Sequence, residues 1–581
     1  MAWGVQSGAR MKFRWSPAIA QPSVCEDLCQ QLKISALLAQ CLVNRNLNLA
    51  QNISCFLEPR LKNLSDPFVL PGMAAAVDRL LQARAQAELV VIFGDYDVDG
   101  VTATAVLFEF LRDLGWRVEF YLPHRLDEGY GLTADSVERC LSKAAARLLI
   151  AVDCGSSASS CIERLRQQGV DVIVVDHHQV SDPAPQALAL VNPLLCPVGD
   201  MAPLCSVGVA FKLAHALVKR ARQADLEPIA SFDVRPLLDL VALGTIADLV
   251  PLVGENRILV SCGLERLNRT TRPGLIGLMR VSRCARPIGV YEVGFQLGPR
   301  LNAAGRMETA EESLRLLLSR DVPEAVTRAQ KLEQHNADRQ KLEREISDQV
   351  IRQVQGRFVP EKDYVIVEGD TPWHVGIVGI VAARVLRQFN RPAIIVGGEG
   401  QVWRGSGRSI PGFDLAAALR QCGDLLVRHG GHALAAGLAV DRARIDDLRS
   451  RLNELARTSL NAEQLCPSLR LDAEVILPDV TIESLGALDR LHPTGQGNPP
   501  VHLFARNLSH ERPSQRIGSD KQHLKMWVTD GSTTREALWW GGAKEACPEG
   551  RYDLAFIPEI NEFNGRRSVQ LKVLDWRPAQ M

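Results

Sequence analysis

Three aspartates alternate within the segment GDYDVDG: Asp95, Asp97 and Asp99. They follow an apolar run and precede a helical pattern. In an extended segment such alternation turns all three carboxylates to one side. Charges so close repel strongly in a dry site, and a divalent cation removes the repulsion. A solvated acidic turn capping the next helix is the plainer alternative. An EF-hand loop opens in the same way but needs a glutamate at its twelfth position, which here is Val106.

Three further segments carry groups of the same kind. LLIAVDCGSS ends an apolar run on Asp153, and Gly155 with the following serines opens a helix whose free N–H groups can meet an anion. VIVVDHHQV places Asp176, His177 and His178 after another apolar run. Adjacent imidazoles there suit metal ligation or acid–base work. DLVALGTIADLVPL reads as a buried helix ending at Asp248, where a charge is costly unless paired or ligated. Carboxylates with imidazole and no thiolate favour Mn²⁺ or Mg²⁺ over structural zinc. The number of ligands suits two ions, which activate a water and stabilise the leaving oxygen in phosphodiester hydrolysis.

Such residues must be delivered to one place by the elements that carry them. The β-branched runs Glu88–Gly94, Arg117–Pro123, Arg147–Asp153 and Val170–Asp176 alternate with helical patterns at Thr102–Leu114, Ser157–Gln168 and Val207–Ala221. This alternation predicts an α/β fold with a doubly wound parallel sheet. Sites in such sheets lie beyond the carboxyl ends of the strands. Val322–Gln355 has neither Gly nor Pro after Pro323, and predicts one long amphipathic helix, either joining two lobes or packed within one domain. A second α/β region follows, with strands at Tyr364–Glu368, Pro392–Gly398 and Gln401–Ser406 and helices at Ile377–Phe389 and Asp414–Val427. Beyond Leu469, short alternating runs (Val501–Ala505, His523–Val528, Glu536–Trp540, Tyr552–Ile557, Ser568–Val573) predict a small β-barrel. The expected division is 1–60, an N-terminal segment; 61–290, the catalytic domain; 291–355, the connection with the long helix; 356–462, the second α/β domain; and 463–581, the barrel.

Composition narrows the function classes. The 581 residues exceed one core. Hydrophobic residues at 46% and charged residues at 23% argue against a largely disordered or fibrous chain. Lys+Arg 67 balances Asp+Glu 67, which argues against a uniformly basic coat protein. The acidic centre must then be offset by a separate basic path. The 14 cysteines form no C-x-x-C pair and read as reduced thiols. No secretory h-region and no long apolar run stand out, so a cytoplasmic protein without membrane contact is expected.

GDYDVDG, VDCG, VDHH and GTIADLVPL stand in the order and spacing of the DHH phosphoesterases. From about residue 50 to 575 the chain resembles the members of that superfamily that are bacterial exonucleases specific for single-stranded DNA. The resemblance implies a DHH domain, a DHH-associated nucleotide-binding domain facing the metals, and a C-terminal OB-fold. It implies Asp97, Asp99, Asp153, His177, His178 and Asp248 as the catalytic set, with Asp95, Asp97, Asp99, Asp153, His177 and Asp248 around the Mn²⁺ or Mg²⁺ ions. RLDEGYGL and GPRLNAAGRM supply Arg125 and Arg306 for the DNA 5′ end; WRGSGRS supplies Arg404, Ser406 and Arg408; GGHALAAGL supplies Gly430, Gly431 and His432. Arginines among serines and glycines suit phosphate. One departure is Phe93, where many superfamily members carry a histidine; either Asp95 replaces it, or that metal binds weakly and arrives with substrate. In the barrel, Arg516, Lys521, Lys525, Arg566 and Arg567 supply charge, while Trp527 and Phe563 either stack on bases or fill the core.

The implied activity is metal-dependent 5′→3′ hydrolysis of single-stranded DNA to 5′-mononucleotides, in repair and recombination, with single-strand-binding protein as a partner. DHH relatives acting on oligoribonucleotides, cyclic dinucleotides or pyrophosphate are typically shorter and lack the barrel. A non-catalytic scaffold would have lost metal ligands that this chain retains.

Overall fold

The computed structural model describes residues 13–125, 127–144, 146–196 and 204–579. Residues 1–12, most of the stretch without a secretory h-region, and Leu126 of RLDEGYGL lie outside the described residues. The first domain is built on a five-stranded parallel sheet. Its spatial order is Arg117–Tyr121, Leu89–Gly94, Leu148–Val152, Asp171–Val175, Ala189–Val191. The last strand is only 3 residues long, too short to show as a pattern in the sequence. Val90 and Ile92 pack with the helices Met73–Ala85, Val98–Asp113 and Ser206–Gln223; Val91 and Phe93 face the opposite layer. Burial on both faces is why these strands read as continuous apolar runs. The chain leaves Leu89–Gly94 for a strand on one side and returns on the other. The cleft at such a reversal, beyond the strands' carboxyl ends, is where Asp95 and Asp153 emerge.

The helix Leu238–Ala247 is buried through Ile246 and packs against Val98–Asp113 and Ser206–Gln223. Gly244 permits that approach: a Cβ there would lie 2.2 Å from Thr102 Oγ1. The connecting helix, Val322–Arg357, runs unbroken for 36 residues, about 54 Å at 1.5 Å per residue. Its first half buries Ala325, Ala329 and Leu332 in the first domain; its second half buries Ile346, Val350 and Val354 in the second.

The second domain has a mixed sheet in the order Leu426–His432, Ala435–Asp441, Val402–Arg408, Ala393–Gly397, Ile366–Glu368. The expected helix Asp414–Val427 is corrected here. It stops at Gln421, a 3₁₀ turn spans Gly423–Leu425, and the Gly-rich segment becomes an edge strand. Gly423 breaks the helical period, and Leu426 finds Val440 as its antiparallel partner.

The C-terminal barrel closes where Leu503–Ile517 pairs with Tyr552–Phe563 as well as with His523–Thr529. Residues of the N-terminal segment complete it. Arg14–Pro17 runs parallel to Ser468–Leu471, and Leu38, Leu42, Ile53 and Phe56 share a core with Leu477, Leu503 and Tyr552. This unit is fastened to the first domain by Arg257, which is buried on the helix Gly254–Asn268. Its guanidinium donates to the carbonyls of Phe56 (2.8 Å), Leu491 (2.9 Å), Pro493 (3.3 Å), Arg490 (3.0 Å) and His492 (2.8 Å). Among the described residues no helix is long and apolar enough to cross a membrane.

Candidate metal centre

The helix after the first strand begins at Val98, one turn before the expected start at Thr102. Asp97 is its N-cap, its Oδ1 accepting from the N–H groups of Asp99 (2.9 Å) and Gly100 (3.1 Å). Asp99 therefore sits in the first helical turn, so the expected extended alternation of three aspartates is corrected. The carboxylates converge because the chain turns. Gly100 lets it turn tightly: a Cβ there would lie 2.7 Å from the Asp95 carbonyl oxygen.

Each of the other groups is held by a partner distant in sequence. Asp99 accepts from the backbone N–H groups of Ser206 (2.6 Å) and Val207 (2.9 Å), at the start of another helix, where a carboxylate is favoured. Ser206 Oγ donates to Asp153 Oδ1 at 2.8 Å. Asp153 itself has φ of 62°, a left-handed conformation costing about 1–3 kcal/mol that is found at functional sites. Asp176 accepts from the N–H groups of Ser156 (3.0 Å), His177 (2.8 Å) and His178 (3.2 Å), and lies 2.8 Å from His178 Nδ1. The expected helix opening at Gly155 is corrected: Ser156 lies in a turn, the helix starts at Ser159, and the Ser156 N–H expected to meet an anion is spent on Asp176. His177 Nε2 faces Asp248 Oδ2 at 3.5 Å, Asp153 Oδ1 at 3.6 Å and Asp99 Oδ2 at 3.9 Å.

Among the described residues, ligand-type atoms gather into three overlapping groups, each within 4.8 Å: Asp95, Asp97 and Asp153; Asp99, His177 and Asp248; Asp153, His177 and His178. Asp95 Oδ1, His177 Nε2 and Asp248 Oδ2 are buried with no hydrogen-bond partner. Leaving such atoms unpaired is costly, and a divalent cation is the partner that this donor set fits. Burial, reinforced by neighbouring carboxylates, pushes the Asp95 and Asp153 carboxyls well above the usual range. The same causes, with Asp99 and Asp97 as neighbours, lift Asp248 to about 9. Burial holds His177 below its ordinary value. For His178 burial works the same way, but the Asp176 carboxylate outweighs it and lifts the imidazole to about 9. Phe93 turns away from all of this, buried and stacked on Tyr121 with ring centroids 5.5 Å apart. At that end of the centre the available donors are those of Asp95, Asp97 and Asp153.

A cluster of arginines abuts the carboxylates. Arg306 donates to the Gly376 carbonyl at 3.1 Å. Burial first, then the charges of Arg125, Arg339 and Arg408, lower its pKa to about 9, with Asp97 opposing. Arg408 donates to the Gly407 carbonyl (2.9 Å) and Ser406 Oγ (3.2 Å), and Arg125 lies over the Tyr96 ring at 4.9 Å. Arg404 and Gly430 line an interdomain cleft of about 1110 Å³ together with Tyr96 and Tyr130. A Cβ at Gly430 would meet nothing within 4 Å, whereas one at Gly431 would lie 2.5 Å from the Ala435 carbonyl oxygen. With φ of 137°, Gly431 serves the hairpin. His432 ends its strand exposed and does not line the cleft. In the barrel, Trp527 is half-buried under the Arg512 guanidinium at 3.6 Å and Phe563 is exposed, so neither fills the core.

Several contributors escape a reading of sequence alone. Asp176 stands out there only as a neighbour of two histidines. Ser206 contributes a backbone N–H as well as its hydroxyl, and a backbone group leaves no trace in residue type. Arg339 is one charge among many on the connecting helix. Tyr130, whose hydroxyl donates to the Asp153 carbonyl at 3.0 Å, lies within the RLDEGYGL motif with nothing in its spacing to single it out. Replacing Asp176 with Asn removes the charge that orients His178. Mn²⁺ affinity measured by calorimetry is then expected to fall ~10–100-fold with the fold intact; an unchanged affinity would free His178 from this dependence.

Comparisons with known proteins converge on the same reading. The DHH family N-terminal domain matches residues 89–245, the DHHA1 domain 362–458 and the RecJ OB domain 471–575. The chain is 38% identical over 576 residues to the single-stranded-DNA-specific exonuclease RecJ of Bacillus subtilis, covering 97% of this chain and 71% of that protein. It is 33% identical over 561 residues to the protein of the same description from Escherichia coli, covering 93% and 95%. The crystal structure of RecJ from Thermus thermophilus in complex with Mn²⁺ superposes with a TM-score of 0.84 at 30% identity, covering 98% of this chain and 80% of that one. The Mg²⁺ complex gives a TM-score of 0.78 at 28% identity, covering 98% and 79%.

Proposed function

Because the chain belongs to the RecJ family of single-stranded-DNA-specific exonucleases, we propose that its carboxylate–histidine centre hydrolyses single-stranded DNA from the 5′ end, releasing 5′-mononucleotides. The observation that carries this reading is the convergence of the unpartnered atoms of Asp95, His177 and Asp248 beside the Arg125, Arg306 and Arg408 cluster.

Asp95, Asp97, Asp99, Asp153, His177 and Asp248 would hold Mn²⁺ or Mg²⁺, which supplies charge neutralisation and activation of water for attack on phosphorus. Arg125, Arg306, Arg408 and Ser406 bind the terminal phosphate and fix which phosphodiester meets the carboxylates. Arg404 and Gly430 border the strand in the cleft. His178, with its side chain 38% exposed against 14% for His177, hands a proton to the departing 3′ oxygen as the P–O bond breaks. Asp176 keeps its imidazole oriented for that step. Repair and recombination are the proposed context, in the cytoplasm, with single-strand-binding protein as a partner on the same strands.

The test uses the protein with Mn²⁺ and single-stranded DNA labelled at either end, beside duplex DNA and a short RNA. Mononucleotides released from the 5′ end of single-stranded DNA alone support the proposal. Preferential cleavage of the short RNA would move the function to an oligoribonuclease; strand binding without hydrolysis would leave a scaffold. Replacing Arg408 with Lys keeps the charge and loses the planar fork. KM for 5′-phosphorylated strands is expected to rise about tenfold or more, with a smaller change for 5′-hydroxyl strands. Equal changes for both would place the terminal phosphate elsewhere.

A further inference from the structure

Between the short helix Val290–Glu292 and the helix Gly298–Met307 the backbone makes a π-helical turn, Val293–Leu297. Such turns are frequent at functional sites. Here it accompanies two aromatic side chains held in solvent. Tyr291 is 61% and Phe295 68% exposed, and their rings stack with centroids 5.1 Å apart and planes at 29°. Paired exposed aromatics on an otherwise well-packed domain mark an interaction site.

Their surroundings identify the partner. On one side Gly294 and Gly298 line a recess with Asn302, Ala247, Arg306 and Arg339. Ala247 precedes Asp248 in the chain, and Arg306 belongs to the arginine cluster that abuts the carboxylates, so the recess borders residues adjoining both the aromatic pair and the metal centre. A Cβ at Gly294 would meet nothing within 4 Å, which leaves the floor open. On the other side lies the barrel unit: a Cβ at Gly495 would be 3.9 Å from Val290 Cγ1. The turn before the pair, joined to it by the Cys284 thiol donating to Gln296 Oε1 at 2.7 Å, carries exposed Arg283 and Arg286.

We propose that Tyr291 and Phe295 form a stacking platform for bases of a single strand passing between the barrel and the metal centre, with Arg283 and Arg286 attracting its phosphates. Every base presents a π-face, so the contact tolerates any sequence, as an exonuclease requires. The proposal rests on single-stranded DNA being the substrate.

The test compares the wild-type protein with a Tyr291→Ala/Phe295→Ala variant and a Tyr291→Phe/Phe295→Trp variant. Equilibrium binding of a fluorescent oligothymidylate is read in EDTA, and cleavage of a trinucleotide is read with Mn²⁺. The alanine variant is expected to raise Kd for the long strand about tenfold or more, to cleave the trinucleotide normally, and to melt at the wild-type temperature. The aromatic variant is expected to bind like wild type. An unchanged Kd in the alanine variant would overturn the platform and leave the pair for a protein partner. Loss of trinucleotide cleavage would also overturn it, placing these residues within the centre itself. If wild-type protein neither binds nor degrades single strands, the substrate assignment fails first, and the platform with it.

Discussion

Replacing Asp153 with Asn is expected to abolish hydrolysis, by ~10³-fold or more in kcat, while leaving the metal-free protein at least as stable as wild type. Asp153 belongs to two of the three ligand groups, sharing one with Asp95 and Asp97 and the other with His177 and His178. Its loss therefore disturbs both ends of the centre. The stability half follows from burial and from the carboxylates of Asp97, Asp99 and Asp95, which work against its charge. Asparagine removes that repulsion, keeps an oxygen to accept from Ser206 Oγ, and tolerates the left-handed backbone at φ 62°. Turnover with Mn²⁺ and the thermal midpoint in EDTA check the two halves separately. A variant that both loses activity and melts early would make Asp153 a structural residue first.

Replacing Arg257 with Met is expected to act far from the chemistry. The guanidinium satisfies five carbonyls, those of Phe56 and of the Arg490–Pro493 segment, and stands 3.8 Å over the Phe56 ring. Burial lowers its pKa to about 10. Methionine fills part of the volume but leaves carbonyls unpaired at a buried interface, a cost of about 3 kcal/mol. The barrel unit should then melt as a separate, earlier transition in calorimetry. KM for long strands should rise while trinucleotide cleavage persists. A single unshifted transition would show that the Leu252 N–H bond to the Gln496 carbonyl, at 2.7 Å, suffices to dock the unit.

Much of this architecture was legible because the relevant signals are local. The apolar runs around Ile92, Ile150 and Ile173 announce a buried parallel sheet, and the absence of Gly and Pro after Pro323 announces the long helix. Strand-terminal aspartates and the paired histidines mark themselves by residue type at an element's end. What stayed hidden depends on contacts across the chain. The N–H groups of Ser206 and Val207 hold Asp99 from 107 and 108 residues away. Arg339 joins the arginine cluster only once the connecting helix is laid between the domains. The strand Leu426–His432 was hidden because Leu426 and Val427 continue the helical pattern from Asp414 and its glycines carry no strand signal until Ala435–Asp441 pairs with it.

The connecting helix has one more consequence. Its two halves are anchored in different cores, and between Pro323 and Gly356 it has no proline or glycine to kink it. The separation between the carboxylates and the strand carrying Ser406 and Arg408 is therefore set by a continuous helix. Under the proposed seating of the terminal phosphate, that spacing would present the same linkage each time, whatever bases the strand carries. Uniform product length would then follow from the length of the spacer, with no kinetic proofreading of where to cut.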